Sequence, residues 1–119
     1  MGSILVQYVI LRGDLFRVLN WPVGAIIAQA CHACTSVIWT YKEDPNVIEY
    51  TKDMDNMRKV VLEAKDEEHL QALSDVLQEN KIDFKLWIEQ PENTPTCIVV
   101  KPYKKDDVQA YFKKCKLFK

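Results

Sequence analysis

The stretch Trp21–Tyr41, WPVGAIIAQACHACTSVIWTY, constrains the fold most. It is too apolar for an ordinary surface helix and too rich in small residues for a strand, so it predicts a buried helix through the middle of the protein. Pro22 suits a first helical position, where its fixed φ and missing N–H cost nothing, and after Gly24 no breaker follows. At about 100° per residue, Gln29, His32 and Ser36 fall within roughly 60° of one another, one turn beyond Ala25. A buried polar group must find a partner or border a wet cleft, so this stripe is either a set of core hydrogen bonds or the edge of a site.

The rest of the chain supplies a sheet for that helix. Ile4–Arg12 is a nearly continuous β-branched and apolar run, the mark of a central strand covered on both faces. Gly13 and Asp14 open a loop to Trp21, which sets Arg12 and Asp14 at the strand's carboxyl edge, where open α/β sheets bind ligands. Asp44-Pro45 predicts a short capped helix from about Pro45 to Asp53. A strand at Met57–Ala64, a helix from Asp66 to about Asn80 and a strand at Ile82–Ile88 follow. The short polar loop Glu89–Pro95 then makes the Ile82–Ile88 strand and a strand at Thr96–Val100 an antiparallel pair, and a final helix runs from near Lys104 into KLFK. The order β, α, α, β, α, β, β, α implies an α/β protein: one domain over residues 1–119, built as a three-layer α/β/α sandwich on a four-stranded mixed sheet.

Composition narrows the function classes. With 119 residues, 48% hydrophobic and 28% charged, the chain can bury a core without disulfides or metal. The longest apolar run is interrupted by Gln29 and His32 and reads as too short to cross a bilayer. Met1-Gly2-Ser3 starts like a myristoylation signal but has Val6 where Ser or Thr is wanted. A soluble intracellular, cytoplasmic protein is expected, with no membrane partner. Cys31 and Cys34 form a C-x-x-C in mid-helix, where apolar surroundings disfavour a thiolate, and only His32 and His69 could join them at a metal. No metal site or cofactor is expected. Lys101–Lys119 holds seven lysines against Asp106 and Asp107, a local charge of +5 that leaves −6 for the remainder of a chain whose net charge is −1. This basic segment either solvates a helix end or contacts phosphates.

QYVILRGDL, GAIIAQACHA and VVLEAKDEEHL resemble corresponding stretches of the type II peptidyl-tRNA hydrolases, and WPVGA, LWIEQPEN and KPY resemble the divergent branch of peptidyl-tRNA hydrolase domain-containing proteins. The likeness covers nearly the whole chain. It implies an α/β/α fold that cleaves, without metal, the ester joining a peptide to the terminal ribose of tRNA. Arg12 and Asp14 match the family's R-x-D, and Gln29 and His32 its A-x-Q-x-x-H-A. The family's lysine four residues before that glutamine falls on Ala25, and its Asp-Ala-Gly loop becomes Glu89-Gln90-Pro91, with Asn93 where a threonine is common.

The roles that follow are these. Asp14, His32 and Glu89 are the candidate catalytic groups, one to take a proton from water and another to orient it. Gln29 and Asn93 are candidates to hold the ester or the water. Arg12 and the lysines of the basic segment, Lys101, Lys104 and Lys105 first and Lys113, Lys114 and Lys116 with them, are candidates for tRNA phosphates. A homodimer is one compatible assembly. Two functions fit this pattern: a hydrolase of weakened activity, and a catalytically weak binding module for tRNA, another RNA or a protein.

Overall fold

Seven of the eight residues of the first strand, β1 (Leu5–Arg12), are buried in the computed structural model, which describes residues 4–119. The N-terminal Met1-Gly2-Ser3 lies outside the described residues. Alternate side chains of β1 enter two different cores, as a strand covered on both faces requires. Val6, Tyr8 and Ile10 join one, and Val9 and Leu11 the other.

The elements after β1 are α1 (Gly13–Arg17), α2 (Val23–Thr40), α3 (Pro45–Lys52), β2 (Lys59–Ala64), α4 (Glu67–Glu79), β3 (Phe84–Glu89), β4 (Thr94–Val100), β5 (Tyr103–Lys104), α5 (Lys105–Val108) and β6 (Lys116–Leu117). The sheet order is β3-β4-β1-β2-β6, with β5 also pairing to β1. β1 and β2 are parallel, whereas β4 is antiparallel to both β1 and β3. β3 therefore runs in the direction of β1, and the loop leaving β3 emerges at the carboxyl edge of β1.

The three-layer α/β/α sandwich is the observed fold. α4 caps itself, the Asp66 carboxylate accepting from the His69 N–H at 2.9 Å, and packs Leu70, Leu73 and Leu77 with Val108 and Phe112 over the first core. α2 covers the second core. α3 is capped by Asp44, whose Oδ1 accepts from the Asn46 N–H at 2.8 Å.

Four expectations need correction. The sheet has six strands rather than four, because β5 and β6 are two-residue pairings too short to leave a period-two pattern. The C-terminal helix breaks up: α5 and a 3₁₀ turn (Gln109–Phe112) are followed by β6, which pairs Leu117 with Leu62 and Lys116 with Glu63. α2 is not buried all round, since only Ile26, Gln29, Ala33 and Val37 are covered while Val23, Ile27 and Trp39 are more than half exposed. A helix lying flat on a sheet with no further layer outside buries a single stripe. At 18 residues α2 is also long and apolar enough to cross a membrane, contrary to the sequence reading, and here that apolar surface is partly spent on β1, β3 and β4.

Candidate active site

Arg12, the last residue of β1, is 5% exposed and pinned on three sides. Nε and Nη2 donate to the two Asp14 oxygens at 3.0 and 2.8 Å, and Nη1 donates to Thr94 Oγ1 at 3.1 Å and the Pro95 carbonyl at 3.0 Å. This bidentate fork ties the β1–α1 turn to the start of β4. Donating to Asp14 raises the Arg12 pKa further, so the guanidinium is a permanent cation whose donors are turned inward.

Gln29 is buried by the same edge. Its Nε2 donates to the Ala25 carbonyl at 3.1 Å and its Oε1 accepts from Thr96 Oγ1 at 2.9 Å, joining α2 to β4. His32, one turn further and rotated outward, is exposed. Its ring stacks on Trp87 with centroids 4.8 Å apart and planes at 25°. Trp87 Nε1 in turn donates to Glu89 Oε1 at 3.0 Å. This indole bond, with the Gln29 amide and the nearby His32, holds the Glu89 carboxyl below the usual carboxylate range despite the opposing effect of burial. Lys85, Trp87 and Glu89 alternate along β3, so they share the face that α2 covers. Trp87 and Thr96 were not singled out from sequence; the period-two spacing from Glu89 back to Trp87 was the available signal.

Asn93 ends the β3–β4 turn at φ 54°, in the left-handed region that asparagine tolerates better than most residues. Its Oδ1 accepts from Gln90 Nε2 at 3.3 Å, and the residue is exposed at the loop tip.

On the other side of Arg12 lies a cleft of about 630 Å³, lined by Gly13, Asp14, Glu63, Lys65, His69, Lys114 and Lys116 among others. Buried Glu63 pairs there with Arg17, whose Nε lies 3.1 Å from Oε2. That bond holds the Glu63 carboxyl below its ordinary value. A Cβ at Gly13 would run into Glu63 Oε2, so any larger residue there must push the Glu63 carboxylate aside.

Arg12, Asp14, Gln29, His32, Glu89 and Asn93 thus gather along the carboxyl edge, with no hydrogen bond or ion pair joining His32 to Asp14 or Glu89. Three expected phosphate contacts are elsewhere. Lys104 pairs opposite Leu5 at the amino end of β1, about 23 Å along the strand from Arg12, and Lys105 follows it. Lys101 is buried and donates to Asp44 and Asp83. Among the described residues no three His, Cys, Asp or Glu side chains are grouped to hold a metal, and the four cysteines are free.

A three-layer sandwich with its polar side chains gathered at the carboxyl edge of a mixed sheet defines a class of α/β proteins that bind ligands at that edge. The relationship is narrower than that class. The family model for peptidyl-tRNA hydrolase PTH2 matches residues 5–118. The Homo sapiens and Mus musculus proteins named "Putative peptidyl-tRNA hydrolase PTRHD1" are each 50% identical over 118 residues, which is 98% of this chain and 84% of theirs. The chain belongs to the PTH2 peptidyl-tRNA hydrolase family.

Proposed function

We propose that the protein hydrolyses the ester between a peptide, or an N-blocked amino acid, and the terminal ribose of tRNA, at the β3 end of the carboxyl edge. The observation that carries this reading is the His32–Trp87 stack with Glu89 fixed by the same indole. It fixes an imidazole and an ionised carboxylate beside one ring. In the reaction, His32 takes a proton from water as the water oxygen attacks the ester carbonyl, and Glu89 stabilises the imidazolium that forms. The imidazolium returns the proton to the departing ribose oxygen. The Asn93 amide donates to the developing oxyanion, and Gln29 holds Glu89 in place. Asp14, gripped by Arg12, keeps lone pairs for a substrate hydroxyl. Lysines of the C-terminal segment meet the tRNA phosphates. Free cysteines and a tRNA substrate fit the cytoplasm.

Ala25 stands where the resembling hydrolases carry lysine, so turnover should be depressed by about 10²- to 10³-fold for want of one cationic donor, and Ala25→Lys should raise it. The test is release of N-blocked amino acid from tRNA with chelator present. His32→Ala should cut kcat about 10²- to 10⁴-fold while tRNA affinity holds. No release above the buffer rate at high protein concentration would favour the second reading, a tRNA-binding module, which the missing cation supports.

A further inference from the structure

The cleft beside Arg12 contains charges of both signs: its carboxylates are already bonded, as is Arg17, while three of its lysines are not. Asp14 is taken by Arg12, Glu63 by Arg17, and Asp66 by the α4 N–H of His69. Lys65, Lys114 and Lys116, which line the same cleft, have no ion-pair partner among the described residues and are exposed. His69 adds a directed donor: its Nδ1 accepts from the Lys65 N–H at 2.9 Å, so the neutral ring carries its proton on Nε2. An opening of about 630 Å³ with its carboxylates closed and its ammonium groups open attracts an anion.

Its place in the sheet identifies the anion. β3, β4, β1, β2 and β6 lie side by side, so the edge from Glu89 on β3 to Lys116 on β6 crosses four strand spacings, about 19 Å. The hydrolytic groups occupy one end of that edge and the free lysines the other. β6 creates this arrangement, because pairing Lys116 to Glu63 swings the C-terminus back to the carboxyl edge. Lys104 and Lys105 stay at the amino edge, where an RNA whose end lies at His32 would have to pass the full length of the sheet to meet them.

Building on the hydrolase reading, we propose that Lys65, His69, Lys114 and Lys116 form the phosphate-binding track of the site, holding the phosphodiesters just upstream of the ribose whose ester lies at His32. The RNA strand runs along the carboxyl edge, across Arg12, from β3 toward β6. Lys104 and Lys105 take no part in it.

Binding of deacylated tRNA over a salt series tests this. Lys65→Gln/Lys114→Gln/Lys116→Gln should weaken binding and flatten the slope of log affinity against log salt by about 2, whereas Lys104→Gln/Lys105→Gln should leave the slope unchanged. An unchanged slope in the triple variant, or an equal loss in the control, overturns the track. Lysine acylation of the wild-type protein gives an answer that needs no variant to fold: tRNA should protect Lys65, Lys114 and Lys116 and leave Lys104 and Lys105 reactive, and the reverse pattern overturns the proposal. Ester release is measured separately. A protein that releases nothing but loses its slope in the triple variant keeps the track and fails the hydrolase reading. One that releases peptide with its slope intact does the opposite.

Discussion

Arg12 and Lys101 are two cations buried at opposite ends of one sheet, 5% and 7% exposed, and each is held by carboxylates. Arg12 joins the β1–α1 turn to β4 through Asp14, Thr94 and Pro95. Lys101 joins the N-cap of α3 to the residue before β3 through Asp44 and Asp83. Burial works against the Lys101 ammonium, yet its two carboxylate partners outweigh that and raise its pKa. Both cations are fasteners. Their surroundings differ: around Lys101 the charges close on themselves, whereas around Arg12 the edge still offers an outward imidazole, a fixed carboxylate and three lysines without an ion-pair partner among the described residues. A cation in the sequence thus says little about ligands until its partners are counted, and the excess over those partners marks the site.

Removing Arg12 should break this comparison most visibly. Arg12→Ala leaves Asp14 mostly buried without its cation and cuts the tie to β4, so about 3 kcal/mol of stability should be lost. Lys101→Met leaves carboxylates that are 24% and 41% exposed at the side chain and can hydrate, so about 1–2 kcal/mol is expected. Denaturant midpoints of the two variants measure the difference, and equal losses would show that the two fasteners are not graded by the burial of their partners. Arg12→Lys should recover only part of the loss, because a single ammonium cannot make the fork.

Gly13→Ala should fall between these two. The added methyl must displace Glu63 Oε2, and Glu63 gives way by loosening its bonds to Arg17. A cost of about 2 kcal/mol follows from overpacking of this kind. Gly13→Ala in an Arg17→Ala background should cost less, and strict additivity of the two changes would refute the coupling.

The sequence carried the layers well because they rest on periodicity. ILVQYVILR could only be a two-sided strand, Asp44-Pro45 and Asp66 announced their helices through cap chemistry, and the antiparallel β3–β4 pair followed from a short loop. It failed where tertiary pairing outranks local pattern. β6 is two residues of an apparent helix end, drawn into a strand by β2. That pairing also decides which lysines stand near Asp14, so the proposed phosphate side could not be read from the charge of the segment. Along α2 the spacing put Gln29 and His32 on one polar stripe, but the roughly 60° between them separates a residue locked under the sheet edge from one stacked outside it. Trp87, the ring that relates His32 to Glu89, lies on another element, and its contact is visible only in three dimensions.

The smallest expected effect is the response to acid, which sharpens the comparison between the two ends. Glu63 at the carboxyl edge is held below its ordinary pKa chiefly by Arg17, while burial opposes it. For Asp44 at the amino edge, burial alone would raise the value, but the bonds from Lys101 and the Asn46 N–H outweigh it and leave it lowered. A depressed folded pKa contributes stability that is fully present above the unfolded carboxylate range, about 3.9 to 4.3, and is lost as pH falls through the folded value. The melting temperature should therefore change little from pH 7 to about 5 on account of these groups and decline below about 4. Arg17→Ala should flatten or invert that acid limb, because a buried Glu63 without its cation prefers to be protonated and its folded pKa rises. Since the Arg17 side chain is 41% exposed, solvent screens the pair and its net contribution at pH 7 is small. Lys101→Met should flatten the limb as well, through Asp44. If both variants decline below pH 4 as steeply as the wild type, neither ion pair sets the acid sensitivity, and the grading of the two edges by their paired charges fails at the level of individual carboxylates.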